Sequence, residues 1–300
     1  MKLPPLLPAV AVLAFSFSSA HADDAPIAKQ LEALGAKVTQ ADGAVSQVNL
    51  TDCSKIGDAE LRAIGQLAHL KTLVLYGGCK GLNDQTVPHL AALKELEVLG
   101  TEGAQLSDAG LKHLAALSSV RQMSFFHLSL ELPGFTGAGF VHLKACPKLE
   151  RLTVAGIKMG DEGFAAIGTL SQLRDFSTWH TWQTEAANAM LAKLPNLTKL
   201  KLGQRMPNPS KTGPSLSEAS IPTLLTMQNL ESLNIGEAHF TLGELSKLKG
   251  LPKLKLLTLW ATDFPEADVE KLRAVLPGVK IDYQPMTPDQ QKKFDQYLKQ

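Results

Sequence analysis

The side chains of this 300-residue chain that could hold a metal or attack a bond are its histidines, cysteines and aspartates. His89, His113 and His142 each stand seven residues before an apolar residue that opens a new copy of a repeat, at Leu96, Val120 and Leu149. That spacing sets them on successive helices about 8 to 10 Å apart. Three imidazoles so separated cannot share a zinc ion with bonds of about 2 Å, so they are expected to pack on the surface. Asp58, Asp84, Asp108 and Asp161 recur in the same way and are of the ligand type that calcium takes. Each follows a turn residue at a helix start, however, where a carboxylate satisfies free N–H groups and the positive helix end, and N-capping is the expected role. Cys53 and Cys79 occupy nearly equivalent places in adjacent copies, which brings their backbones within about 5 to 6 Å, a separation a disulfide tolerates. In an oxidising compartment they could be bonded. Alternatively they are buried thiols filling the turn, and Cys146 stays unpaired in either case. A nucleophile elbow, a P-loop, an H-E-x-x-H and a C-x-x-C motif are all missing. The expectation is a protein that is not an enzyme and carries no cofactor and no metal.

The elements that position these residues come from one pattern, apolar-x-x-apolar-x-apolar. It opens at Val45, Leu70, Leu96, Val120, Leu149, Leu173, Leu197, Leu230 and Leu254. Successive side chains of a strand alternate between its faces, so the fourth and sixth positions of each copy point into a core while the third, fifth and seventh point out. A turn and a helix start follow each strand, as in Ser107-Asp108-Ala109-Gly110-Leu111, and the helices carry apolar residues at helical spacing, as at Leu111, Leu114 and Leu117. One unit cannot bury its apolar side alone, whereas stacked units can. The expectation is an α/β solenoid, curved like a horseshoe, with parallel strands on the concave face and helices on the convex face. Residues 23–44 read as an N-terminal cap with a hairpin at Asp42-Gly43. Residues 45–283 read as about nine repeats plus a terminal strand, and 284–300 as a C-terminal tail helix. Two stretches, Leu128 to Thr136 and Gln204 to Ser220, lengthen their repeats, and the second, with Pro207, Pro209, Gly213 and Pro214, reads as a flexible loop.

The seventh position runs Thr51, Tyr76, Glu102, Phe126, Ala155, Trp179, Gly203, Gly236, Trp260. Four aromatics therefore project from the concave edge among small or polar residues, with His127, His180 and Trp182 in the adjoining turns. Strands stack about 4.8 Å apart, which places Tyr76, Phe126 and Trp179 about 10 Å from one another and Trp260 about 15 Å further on. The aromatics either shield the sheet edge or serve as anchors for a partner, since exposed aromatics are preferred hot spots of interfaces.

The first residues, Met1-Lys2, an apolar stretch from Leu3 to Phe17, and Ser18-Ser19-Ala20-His21-Ala22, have the parts of a signal peptide, so 1–22 is expected to be removed on export to the periplasm or the exterior. Roughly 15 apolar residues interrupted by three prolines fall short of a bilayer span. The mature chain is expected to be soluble and to have no membrane segment. A formal net charge of +1 supplies no field for phosphate backbones, so nucleic acid is not an expected partner.

The units are similar to those of bacterial exported leucine-rich-repeat proteins, whose repeats read L-x-x-L-x-L-x-x-T-x-hydrophobic-x-D-x-G-L-x-x-L-x-x-L. The match runs from about 27 to 283 and is strongest at Leu96–Leu117, Leu149–Leu170 and Leu70–Leu93. Cys53 and Cys79 also resemble the cysteine-containing class of these repeats. The resemblance implies a binding or scaffolding role and names no ligand. The expected function is recognition of a protein or peptide by a monomer through the concave face. A glycan-binding module and an envelope-organising structural protein are the alternatives.

Overall fold

The computed structural model describes residues 24–206 and 213–298. The leader at 1–22 and the centre of the second insertion, with Pro207 and Pro209, lie outside the described residues.

Apolar alternation closes the chain into one 11-stranded sheet whose spatial order is its chain order. The strands are β1 (Lys37–Ala41), β2 (Ala44–Leu50), β3 (Thr72–Leu75), β4 (Val98–Glu102), β5 (Gln122–Phe126), β6 (Arg151–Ala155), β7 (Asp175–Trp179), β8 (Lys199–Leu202), β9 (Ser232–Gly236), β10 (Leu256–Thr262) and β11 (Lys280–Pro285). β1 and β2 form an antiparallel hairpin, turned by Asp42 and Gly43 at φ of 52° and 81°, the double left-handed geometry that Asp-Gly favours. All later pairings are parallel and hold one register: Val48, Leu73, Leu99, Met123, Leu152, Phe176, Leu200, Leu233, Leu257 and Ile281 lie side by side. None of these is more than 6% exposed, so the row forms the spine of the core. The sixth positions are buried as well, including the polar Thr101 and Thr178.

The convex side differs from the expectation of a helix in every repeat. Asp58–Ile64, Asp161–Ile167, Ile221–Leu225 and Val269–Val275 are α-helical, but Val87–Ala92, Gly110–Ala116 and Ala138–Ala145 are 3-10 helices. Their apolar residues recur every third position, at Val87 and Leu90, Leu111 and Leu114, and Phe140 and Leu143. Three residues per turn stack such a series on one side, and the steeper rise covers the repeat's width with fewer residues.

The acidic column also acts differently from a set of local caps, because each carboxylate reaches across to the next repeat. Asp84 accepts hydrogen bonds from Ser107 N (2.9 Å) and Oγ (2.6 Å). Asp108 accepts from Thr136 N (2.9 Å) and Gly139 N (2.9 Å), and Asp161 from Thr184 N (2.7 Å) and Oγ1 (2.8 Å). Glu185 repeats the pattern on Ser217 and Ser220, and Glu218 on Thr241. Several of the hydroxyls then cap their own turns, as Ser107 Oγ does for Gly110 N (3.0 Å). Asp58 reaches the next repeat through a side chain instead, at His89 (2.7 Å), and is also held by Arg62 of its own helix (2.8 Å). These clamps lock neighbouring units, the only contacts a solenoid has. Asp108→Ala leaves two backbone donors unpaired and is expected to lower stability by about 2 to 4 kcal/mol. Denaturant unfolding of the variant measures this, and an unchanged midpoint would show that the clamp carries no stability.

The ends of the second insertion are packed, which corrects the reading of the whole stretch as a flexible loop. Gln204, Arg205, Ser215, Leu216 and Ser220 are buried. Gln204 Nε2 donates to the carbonyls of Leu216 and Glu237 (both 3.1 Å), its Oε1 accepts from Ser215 Oγ (2.9 Å), and Asn188 Nδ2 donates to the Ser215 carbonyl (2.9 Å). Paired polar groups thus replace apolar packing there.

Candidate functional site

The seventh positions of β3, β5, β7 and β10 carry Tyr76, Phe126, Trp179 and Trp260, all half-buried. Their rings do not stand about 10 Å apart as strand spacing alone implies. Tyr76 meets Phe126 edge-on with centroids 5.8 Å apart, and Phe126 meets Trp179 at 6.1 Å. An aromatic side chain is longer than the strand repeat, so the Tyr76, Phe126 and Trp179 rings meet across the strands between them, and Tyr76 and Trp260 lie over neighbouring glycines. A side chain on Gly100 would crowd the Tyr76 hydroxyl (3.1 Å) and ring (3.3 Å). The Trp260 indole lies against Gly236, where a methyl group would fall 2.2 Å from the ring, and its edge reaches Gly203. The gap between Trp179 and Trp260 is filled by Lys201 of β8, whose Nζ stands 4.1 Å from one ring centroid and 4.7 Å from the other. The result is a continuous ridge along the concave edge.

His127 and His180 follow the ridge in the turns after β5 and β7. His127 Nδ1 faces Glu102 Oε1 at 3.2 Å, and His180 Nε2 faces Glu237 Oε1 at 2.9 Å. His127, His180, Glu237 and Ala261 are left-handed, with φ of 50°, 54°, 55° and 47°, at places where other repeats use Gly77, Gly103 and Gly156. Holding a non-glycine residue there costs about 1 kcal/mol or more each, a kind of strain that clusters at functional sites. Trp182 sits apart from the ridge, with Lys158 Nζ 5.5 Å from its ring centroid.

Two groups in the site were outside the sequence reading of its residues: Lys201 and Glu237, one of the two carboxylates that hold the imidazoles. Glu102 was visible as a member of the seventh-position column. Lys201 sits at an outward place in Lys199-Leu200-Lys201-Leu202, where a solvated charge is ordinary, so nothing local singles it out. Its burial disfavours the ammonium and lowers its pKa, opposed by the charge of Glu237. The Gly77 amide and, behind it, His127 hold the Glu102 carboxyl below the ordinary carboxylate range. Thr241 does the same for Glu218. Their pKa values are lower folded than unfolded, so the stability they add is complete above the unfolded value of about 4.3 and is lost as pH falls through the folded values. The thermal unfolding midpoint is therefore expected to fall on acidification below about pH 4.5, and less steeply in Glu102→Gln. Parallel titration curves for the two proteins would contradict this assignment.

Elsewhere, Cys53 and Cys79 are buried free thiols that hydrogen-bond to each other, with Cys53 pushed well up by that bond and by burial. Burial pushes the Cys146 thiol up to about 11. Among the described residues no three His, Cys, Asp or Glu side chains converge as metal ligands, and no helix is long and apolar enough to cross a membrane.

No protein-family model and no curated protein sequence matches the chain. Solved structures do. An internalin (inlF) of Listeria monocytogenes is similar over 91% of this chain and 78% of its own, at 16% identity and a TM-score of 0.50. An internalin C2 of the same organism covers 87% of this chain and 92% of its own (15% identity, TM-score 0.45). A leucine-rich-repeat protein of Leptospira interrogans covers 74% and 62% (16% identity, TM-score 0.38). The first of these, taken with the in-register parallel sheet and the repeated core positions, establishes the architecture: the chain is a leucine-rich-repeat solenoid of the α/β class.

Proposed function

We propose that the chain is a non-catalytic binding module, exported to the periplasm or the exterior, that recognises a protein or peptide partner through its concave face as a monomer. The observation that carries this reading is the continuous ridge of Tyr76, Phe126, Trp179 and Trp260 with Lys201 set into it. Clustered aromatics with a basic group among them are the composition of interface hot spots. His127 and His180, each set on a carboxylate, rim the ridge and support it. Lys201 also covers the inner faces of both indoles, which leaves them poorly placed to stack on a sugar and favours protein over glycan. In an oxidising compartment Cys53 and Cys79 would be open to oxidation to a disulfide tying the first two repeats together. The mass of the intact exported chain, short by two hydrogens, would reveal it.

The test is affinity capture from an envelope extract on the immobilised mature chain, on Trp260→Ala and on Val141→Ala, the last altering an exposed apolar residue on the convex side. The expected result is a protein retained by the native chain and by Val141→Ala and lost with Trp260→Ala. Retention that depends on Val141 and not on Trp260, or capture of bare oligosaccharide alone on a glycan array, would refute the proposal.

A further inference from the structure

The centre of the concave face carries three cationic side chains that no close ion pair ties down. Arg151, Asp175 and Lys199 lie side by side across β6, β7 and β8, and Lys201 stands two residues beyond Lys199 on the same face. Asp175 is the one carboxylate among them, and burial raises its pKa against the pull of Lys199 and Arg151. Glu237, the other acidic group near Lys201, already has Oε1 on His180. Among the described residues the side chains of Arg151, Lys199 and Lys201 make no close ion pair and no hydrogen bond, although Asp175 attracts Arg151 and Lys199, and Glu231 attracts Lys199, at longer range. The ammonium of Lys201 is therefore held in place by two indole faces, has lost part of its water, and keeps its N–H donors without an acceptor. A cation so fixed has surrendered its rotamer freedom in advance and gains more from an incoming anion than a free surface lysine does.

We propose that Lys201, clasped between Trp179 and Trp260, is the recognition point for an Asp or Glu side chain carried on an extended peptide segment with apolar neighbours. This rests on the concave-face reading and narrows its partner to an acidic–apolar peptide. The carboxylate meets the ammonium while the adjoining apolar side chains lie along the ridge toward Phe126 and Tyr76. Arg151 and Lys199 supply the surrounding positive potential, which steers the acidic segment to the face and suppresses basic competitors.

A random peptide library displayed on phage and selected on the full mature chain tests this. Selected peptides are expected to share an acidic residue beside apolar or aromatic ones. In a synthetic copy of one of them, changing that Glu to Gln should weaken binding to the native chain by about 10- to 100-fold, the worth of a hydrogen bond between charged groups. The same change should make little difference against Lys201→Met. The peptide substitution leaves the protein untouched, so the comparison holds even if a protein variant is destabilised. Selected peptides lacking an acidic residue, or an equal loss against native and Lys201→Met proteins, would overturn the carboxylate assignment while leaving peptide recognition standing. If no peptide is selected above background, the peptide-recognition reading fails, and this inference with it.

Discussion

Phe176→Ala is expected to lower the stability of the protein by about 3 to 5 kcal/mol, the range for emptying a buried aromatic site. Phe176 is fully buried at the fourth position of β7, between Leu152 and Leu200 in register, and meets Phe164 edge-on with centroids 6.4 Å apart. The cavity would therefore open at the junction of the sixth repeat with both neighbours. Each unit of a solenoid is stabilised by its own packing and by the interfaces on either side, so loss at one junction propagates no further than those interfaces. Denaturant unfolding should accordingly become less cooperative as well as shifting its midpoint, because the two halves of the array lose their coupling. Ser177→Ala, one residue away on the outward face, should stay within about 0.5 kcal/mol of the native protein. Equal effects at 176 and 177 would mean that the inward and outward assignment of the strands is wrong.

The register of the core was legible in the amino-acid sequence because alternation fixes which face a residue occupies, and a slip of one residue would have turned every Leu outward. Val48 through Ile281 follow that rule without exception. The membership of the ridge was legible for the same reason, since Tyr76, Phe126, Trp179 and Trp260 all hold the seventh position. What alternation cannot convey is where a long side chain ends. The rings of Tyr76, Phe126 and Trp179 close to 5.8 and 6.1 Å across strands that lie further apart, with Gly100 leaving room for Tyr76, and Gly203 and Gly236 for Trp260. The acidic clamps were hidden for a related reason. Asp108 has the local signature of a helix cap, but its partners Thr136 and Gly139 belong to the next repeat, at the end of an insertion and just past it. Lys201 gains its meaning only from two tryptophans on other strands. The 3-10 segments escaped because a three-residue apolar spacing suits either helix over so short a span.

The measurement that bears most directly on the central claim is Trp179→Ala, followed by thermal unfolding and partner affinity on the same sample. Trp179 is at an outward position but not free of contacts, since it touches Phe126 and Lys201. Losing one aromatic pair and one cation–π contact is expected to lower stability by about 1 to 2 kcal/mol, well short of an emptied core site. If the ridge is a binding surface, affinity for the captured partner should drop by about 2 kcal/mol or more, roughly 30-fold, as at other aromatic hot spots. That result, with a folded variant and a weakened complex, is the one this structure leads us to expect. A variant destabilised by about 3 to 5 kcal/mol, whose remaining folded fraction binds as tightly as the native chain, would contradict it and make the ridge a structural seam of the sheet.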